Sequence, residues 1–148
     1  MAYFIAESCS GCTACVSRCP TRAIHGARKA LHSISAGLCI DCGACGVVCP
    51  SEAIFDSRGV RSTMLRKAQR PRAFVEAEAC TGCEKCVEHC PFDCLRMDEA
   101  GGAHFGVARV DEAKCTGCRE CEKACPYDAI SVHRRDQVPP ALRPAIAA

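Results

Sequence analysis

The sequence predicts an α+β fold in which short strands and short helices surround repeated cysteine motifs. One cysteine-rich motif occurs four times in the 148 residues. A short β-like stretch precedes each copy and another follows it. Aromatic residues make up only 5% of the chain and tryptophan is absent. Because small units rarely stabilise themselves by apolar burial alone, we expect the cysteines to contribute to the fold through bound metal.

The repeated motif is C-x2-C-x2-C-x3-C-P, and it occurs without a gap or a substitution. Three cysteines on one tight loop can reach three irons of one cube, and glycines between them let backbone N–H groups approach the sulfurs. This spacing is typical of 4Fe–4S proteins, so the sequence predicts four 4Fe–4S clusters. The motifs contain 16 of the 17 cysteines: Cys9, Cys12, Cys15 and Cys19; Cys39, Cys42, Cys45 and Cys49; Cys80, Cys83, Cys86 and Cys90; and Cys115, Cys118, Cys121 and Cys125.

The fourth cysteine of each motif is expected to ligate the cluster of a neighbouring motif. In bacterial two-cluster proteins with this run, the last cysteine ligates the other cluster. The rule pairs the first motif with the second and the third with the fourth, and each half should then unfold without iron. The expected ligand sets are Cys9, Cys12, Cys15 and Cys49; Cys39, Cys42, Cys45 and Cys19; Cys80, Cys83, Cys86 and Cys125; and Cys115, Cys118, Cys121 and Cys90.

Two other uses of cysteine fit the sequence poorly. A disulfide framework is disfavoured by the odd number of cysteines and by an N-terminus without signal-peptide features, so we expect a cytoplasmic location. No apolar run approaches the length of a membrane span. Structural zinc sites use two C-x2-C pairs with a longer spacer between them, whereas four cysteines crowd each loop here.

Residues 9–50 and 80–126 each resemble a bacterial two-cluster 2×(4Fe–4S) ferredoxin domain. The resemblance implies two fused ferredoxin-like domains, each a pseudo-twofold pair of β-hairpins packed on short helices. We therefore expect a first domain at 1–57, a basic linker at 58–72, a second domain at 73–132 and a Pro/Ala-rich tail at 133–148. The tail is expected either to be disordered or to lie extended on a partner.

The coarse secondary structure follows the repeat. A helix is expected to run through the last cysteine of each motif, and turns are expected at Gly26 and at Gly101 and Gly102. Cys94, the seventeenth cysteine, holds the repeat position of three alanines and should pack as a small apolar residue. The expected strands are 3–5, 23–24, 31–34, 53–54, 74–75, 94–95, 105–110 and 129–130.

Charge divides the chain unevenly. Residues 1–73 contain ten basic and four acidic residues, net +6, and residues 74–148 contain nine and thirteen, net −4. Each oxidised cluster with four thiolates adds about −2, so the difference between the halves persists. Such a charge difference favours directional docking, and the basic linker is either a solvated tether or a docking surface. Nucleic-acid binding is disfavoured because aromatic residues do not interleave with the basic ones.

The sequence predicts an electron carrier rather than an enzyme. A cubane with four cysteine ligands has no open iron, and no nucleotide-binding loop or nucleophile motif is present. Two hypotheses remain: a relay subunit of a larger oxidoreductase, or a free-standing polyferredoxin that serves several enzymes. The layout resembles the small iron–sulfur subunit of multi-subunit tungsten-containing aldehyde oxidoreductases. That resemblance implies a catalytic subunit and a flavoprotein or ferredoxin as partners, and a second copy of the chain is a further candidate.

Overall fold

A computed structural model describes residues 2–99 and 106–140. The expected turn at Gly101 and Gly102, His104, the start of the strand expected at 105–110 and the end of the tail lie outside the described residues. The chain forms two compact units, Met1–Ala68 and Gln69–Ala148.

The first unit contains four two-residue strands and two short helices. β1 pairs with β4, and β2 pairs with β3, both antiparallel. In chain order the elements are β1 (Phe4–Ile5), a 3-10 helix (Val16–Arg18), β2 (Ile24–His25), β3 (Ser33–Ile34), a 3-10 helix (Gly46–Val48) and β4 (Ile54–Phe55).

The second unit repeats this order with longer elements. β5 pairs with β8 and β6 with β7, again antiparallel, and a 3-10 helix at Lys67–Gln69 lies at the junction of the two units. The elements are β5 (Arg72–Val75), α1 (Lys85–Glu88), β6 (Leu95–Asp98), β7 (Val107–Val110), α2 (Glu120–Ala124), β8 (Ile130–His133) and a 3-10 helix (Arg135–Gln137).

Every expected strand corresponds to an observed one, but the expected pairing is half wrong. Among the strands of residues 2–99 and 106–140, only β2–β3 and β6–β7 are hairpins between neighbouring strands. The other two pairs, β1–β4 and β5–β8, join the first and last strands of each unit. A hairpin pairs strands that are adjacent in sequence, whereas here the strand after each second motif returns to the strand before the first.

The expected helix position is also wrong. The short helix of each motif begins directly after the third cysteine or includes it, and it ends before the fourth cysteine, which is followed by proline. Cys19, Cys49 and Cys125 have extended backbones with ψ of 114°, 112° and 113°. The cause is the proline, because its ring disfavours helical geometry in the residue before it.

Part of the expected linker packs within the first unit. The Ser62 N–H donates to the Ile54 carbonyl at 2.8 Å, the Leu65 N–H donates to the Val47 carbonyl at 2.9 Å, and Leu65 is buried. Arg72, at the other end of the linker, lies in β5. The junction between the compact units falls inside the expected linker, and the domain boundaries given above stay a prediction.

The start of the expected tail also packs. His133 pairs with Arg72 in the β5–β8 ladder, and the Arg135 guanidinium donates to the Glu112 carboxylate. Val138 is buried. Helices in residues 2–99 and 106–140 have at most five residues, so none of them could cross a bilayer.

Candidate metal centres

Four cavities repeat through the two units, and each is lined by four motif cysteines. Three come from one motif and the fourth comes from the other motif of the same unit. Cavity A is lined by Cys9, Cys12, Cys15 and Cys49, and cavity B by Cys39, Cys42, Cys45 and Cys19. Cavity C is lined by Cys80, Cys83, Cys86 and Cys125, and cavity D by Cys115, Cys118, Cys121 and Cys90. The structure thus groups the cysteines in the same sets of four that the crossed rule predicts.

The cysteine loops share an unusual backbone. φ is positive at the same three places in every motif: before the second cysteine, after the second cysteine and three residues after the fourth. Alternating left- and right-handed residues turn successive N–H groups to one side, which makes a concavity suited to anions. Glycine occupies four of these twelve places; the others are Thr13, Arg22, Asp41, Glu52, Glu84, Asp93, Arg119 and Asp128. The loop conformation is therefore retained even where the residue disfavours it.

Two of the loop glycines allow a close approach to other backbone. A Cβ on Gly11 would lie 2.4 Å from the Ala30 nitrogen, and a Cβ on Gly117 would lie 2.6 Å from the Pro71 carbonyl oxygen. The Gly11 N–H itself donates to the Cys9 Sγ at 3.4 Å. A larger residue would thus disturb both the packing and a hydrogen bond to a candidate ligand sulfur.

Backbone N–H groups also contact the fourth cysteine of a motif. Ala23 N–H donates to Cys19 Sγ at 3.2 Å, and Ala53 N–H donates to Cys49 Sγ at 3.4 Å. Both alanines are fully buried. Such donors stabilise negative charge on a thiolate, so they favour the form of cysteine that binds iron.

The third cysteine of every motif is buried. Burial raises the pKa of the Cys15 and Cys86 thiols to about 11 and that of the Cys45 and Cys121 thiols to about 12. These thiols are protonated at neutral pH when no metal is bound. Metal binding at these cysteines must therefore release protons.

Exposure of the cysteines differs between the two cavities of each unit. Cys12 in cavity A and Cys83 in cavity C are exposed. All cysteines of cavities B and D are at least partly buried. Each unit therefore has one cavity with a cysteine at the protein surface and one without.

Cavity D has a fifth cysteine in its lining. Cys94 is 5% exposed, in agreement with its expected place as a small buried residue. Its Sγ lies 3.3 Å from the Cys90 Sγ. A hydrogen bond from Cys94 lowers the pKa of Cys115 to about 6, with further support from the Ala73 and Gly117 N–H groups and from Arg72. The same hydrogen bond raises the pKa of Cys94 itself.

Cavity A contains a buried histidine. His32 is 1% exposed, and its Nδ1 lies 3.0 Å from the Ala30 carbonyl oxygen. Nε2 has no hydrogen-bond partner among the described residues. Gly26 makes room for the ring, because a Cβ there would lie 2.6 Å from His32 Cγ. Nδ1 also lies 4.0 Å from the Cys9 Sγ, so the ring contacts a candidate ligand as well as the backbone. Four cysteines around one enclosed space are the ligands of a 4Fe–4S cluster, so the residues of cavity A fit such a cluster.

Sequence reasoning found the cysteines but gave His32 no role, because the histidines of the chain show no ligand spacing among themselves. A useful signal was available: His32 lies directly before β3, in the connection that contains Gly26. Within residues 2–99 and 106–140, no three His, Cys, Asp or Glu side chains are arranged to hold a single metal ion.

Family comparisons match almost the whole motif region. Models described as a 4Fe–4S dicluster domain match residues 31–91 and 79–129, and one described as a 4Fe–4S binding domain matches residues 2–25. The match at 31–91 joins the second motif to the third and crosses the junction of the compact units. Because all four motifs share one spacing, a two-motif model can match any neighbouring pair, whereas the strand pairing joins the first motif to the second.

Solved structures give weaker matches. A formate dehydrogenase–heterodisulfide reductase–formylmethanofuran dehydrogenase complex from Methanospirillum hungatei contains a chain that is 22% identical, with a TM-score of 0.37; the match covers 88% of this chain and 54% of that one. An adenosine 5'-phosphosulfate reductase in complex with substrate matches at 30% identity with a TM-score of 0.38, covering 45% of this chain and 47% of that one. This chain thus spans about half the length of these solved chains. No curated protein matches it significantly.

Proposed function

We propose that this chain, which carries ferredoxin-type 4Fe–4S domains, is a non-catalytic electron relay with four 4Fe–4S clusters. The observation that carries the proposal is the lining of the cavities. Four times, four cysteines surround one space, and the two motifs of a unit exchange their last cysteines. When bound, the clusters supply one-electron exchange without an open iron site.

The chain's own residues would hold and insulate the clusters. Sixteen motif cysteines supply the thiolates, in the four sets that line cavities A to D. Apolar side chains such as Ile5 and Ile54 in cavity A, and Ile24 and Ile34 in cavity B, exclude water from the cysteines. Backbone N–H groups stabilise the charge of the ligand sulfurs. The apolar lining gives the cavities a low dielectric constant and few contacts with solvent. This keeps the reduction potentials of the clusters low, because the negative charge added on reduction is poorly solvated there.

The exposed cysteines indicate where electrons enter and leave each unit. Cys12 and Cys83 bring cavities A and C to the surface, so a partner can approach those clusters more closely than the clusters of cavities B and D. A reduced partner protein would donate at such an edge, and an oxidised partner would accept there. The two fused ferredoxin domains would then each contain one surface cluster and one interior cluster.

We propose further that the chain is the relay subunit of a multi-subunit oxidoreductase. The segments outside the motifs support this, since Ser62, Leu65 and Val138 extend the packed structure beyond what two minimal ferredoxin domains need. Its layout favours the tungsten-containing aldehyde oxidoreductases, in which it would pass electrons from the catalytic subunit to a flavin subunit or a ferredoxin. Reduced thiolates require a reducing compartment, so we place the chain in the cytoplasm.

Two measurements on anaerobically purified protein test these proposals. Iron and acid-labile sulfide should each approach 16 per chain, which is four clusters of four. A value near half of that, or zinc instead of iron, would overturn the four-cluster assignment. Purification of the native protein should recover a catalytic subunit and a second redox subunit. A lone species that exchanges electrons with several enzymes would replace the relay subunit with a free-standing polyferredoxin.

A further inference from the structure

Cys94 differs from its three repeat equivalents only in its side chain. Ala23, Ala53 and Ala129 occupy the same position after the other motifs, and all four residues are buried, with exposed fractions of 5% or less. The Cys94 N–H donates to the Cys90 Sγ at 3.4 Å, as the Ala23 and Ala53 N–H groups do to their own fourth cysteines. The backbone role is thus shared, and the thiol is an addition to one repeat.

That thiol contacts a candidate ligand of cavity D. Its Sγ lies 3.3 Å from the Cys90 Sγ, within the range of a sulfur hydrogen bond, and Cys115 lines the same cavity. Cys90 and Cys115 come from different motifs, so Cys94 lies where the two halves of the ligand set meet. Cavity D already has four motif cysteines for four irons. The fifth sulfur is therefore available as a donor rather than as a ligand.

We propose that the Cys94 thiol donates a hydrogen bond to the sulfur of Cys90, a ligand of the cluster of cavity D, and thereby raises the reduction potential of that cluster alone. The inference rests on the proposed function. Reduction adds negative charge that is shared with the cysteine sulfurs, so a donor stabilises the reduced form more than the oxidised form. Burial strengthens the effect because little water competes for the sulfurs. Cavities A, B and C have alanine at this position and lack this donor.

The test is a potentiometric titration of the holoprotein, followed by electron paramagnetic resonance, for the wild type and Cys94→Ala. The variant recreates the alanine of the other repeats, so its fold and iron content should be unchanged. One of the four potentials should move to a more negative value. The expected change in the ratio of reduced to oxidised cluster at fixed potential is about three- to tenfold, and tenfold corresponds to about 59 mV for one electron.

Two further variants separate hydrogen bonding from packing. Cys94→Ser retains a donor in the same place, so its potential should lie closer to the wild-type value than that of Cys94→Ala. Ala129→Cys introduces the thiol beside cavity C in the same unit and should raise a second potential. An infrared S–H stretching band present in the wild type and absent in Cys94→Ala would support a protonated Cys94.

The results distinguish this inference from the proposed function. If the wild type contains no clusters, the proposed function fails first. If the wild type contains four clusters and Cys94→Ala leaves every potential unchanged, the hydrogen-bond role is refuted. Loss of one cluster's iron in Cys94→Ala also refutes it, because Cys94 would then be a ligand.

Discussion

Alanine substitutions at three glycines of the first unit separate the effect of backbone conformation from that of close packing. Gly11 has φ of +65°, and a Cβ there would meet the backbone of Ala30 at 2.4 to 2.6 Å. Gly59 has φ of +79° but open space around the Cβ position. Gly37 has neither constraint and serves as the matched control.

The expected losses in the free energy of unfolding follow from these geometries. A left-handed conformation costs a residue with a Cβ about 1 to 2 kcal/mol, which is the whole expected effect of Gly59→Ala. Gly11→Ala adds an overlap with rigid backbone, worth about 1 to 3 kcal/mol more. Gly37→Ala should be neutral or slightly stabilising, because alanine restricts the unfolded chain. At about 4 to 8 °C per kcal/mol for a unit of this size, Gly11→Ala should lower the melting temperature by about 8 °C or more.

The assay follows the visible absorbance of the clusters in the anaerobic holoprotein during heating. One scan rate should be used for all variants, because loss of iron makes unfolding irreversible. The expected order of melting temperature is Gly37→Ala, then Gly59→Ala, then Gly11→Ala. If Gly11→Ala is no less stable than Gly59→Ala, the close approach of Ala30 does not constrain the first cysteine loop, and the reasoning is wrong.

Other perturbations test the remaining features. Thr13→Gly should stabilise the holoprotein by about 1 kcal/mol in thermal melts, because Thr13 is β-branched and its φ of 64° is unfavourable for such a residue. An unchanged melting temperature would show that the Thr13 backbone is not strained. His32→Phe keeps a ring but removes Nδ1, which lies 4.0 Å from the Cys9 Sγ, so one potential in a redox titration should fall, and unchanged potentials would exclude a hydrogen bond from His32 to a ligand of cavity A. Because burial holds the pKa of Cys45 at about 12, its thiol takes up a proton on iron release throughout the neutral range. Chelator-driven cluster loss should therefore be faster at pH 6 than at pH 8, and a flat pH profile would argue against proton-coupled release. Complete iron removal should abolish the circular dichroism of both units, whereas a retained fold would show that the clusters are not needed for stability.

The sequence predicted the parts of the structure that short-range chemistry determines. Strands such as β2 and β6 follow the motifs at a fixed distance because the spacing of cysteines repeats. The pairing of β1 with β4 was not predicted, since it depends on how two motifs meet in space rather than on any turn sequence. The helix ends were predicted wrongly because a helix was expected to run through the last cysteine of each motif, whereas the proline that follows, such as Pro20, disfavours helical geometry in that cysteine.

The site shows the same division. The cysteine sets follow from a spacing rule, whereas His32 lies 23 residues from Cys9 and reaches cavity A through packing. The contact of Cys94 with Cys90 is local, but its expected role as a small apolar residue gave no reason to predict a sulfur–sulfur contact. The left-handed conformations of Asp41 and Thr13 could not be predicted from residue preference, because the loop as a whole imposes them. A repeat alignment would have identified both positions, since glycine occupies each of them in another motif.

The pairing of β1 with β4 also has a consequence for the order of events during protein synthesis. A ribosome delivers Cys9, Cys12 and Cys15 first, yet cavity A also needs Cys49, and the ladder that closes the unit needs Phe55. Until that strand emerges, the thiols of the first motif have no enclosed space in which to hold iron. Cluster insertion into the first unit must therefore wait for its last strand, and a nascent chain that is stopped before Phe55 should bind no stable cluster in cavity A.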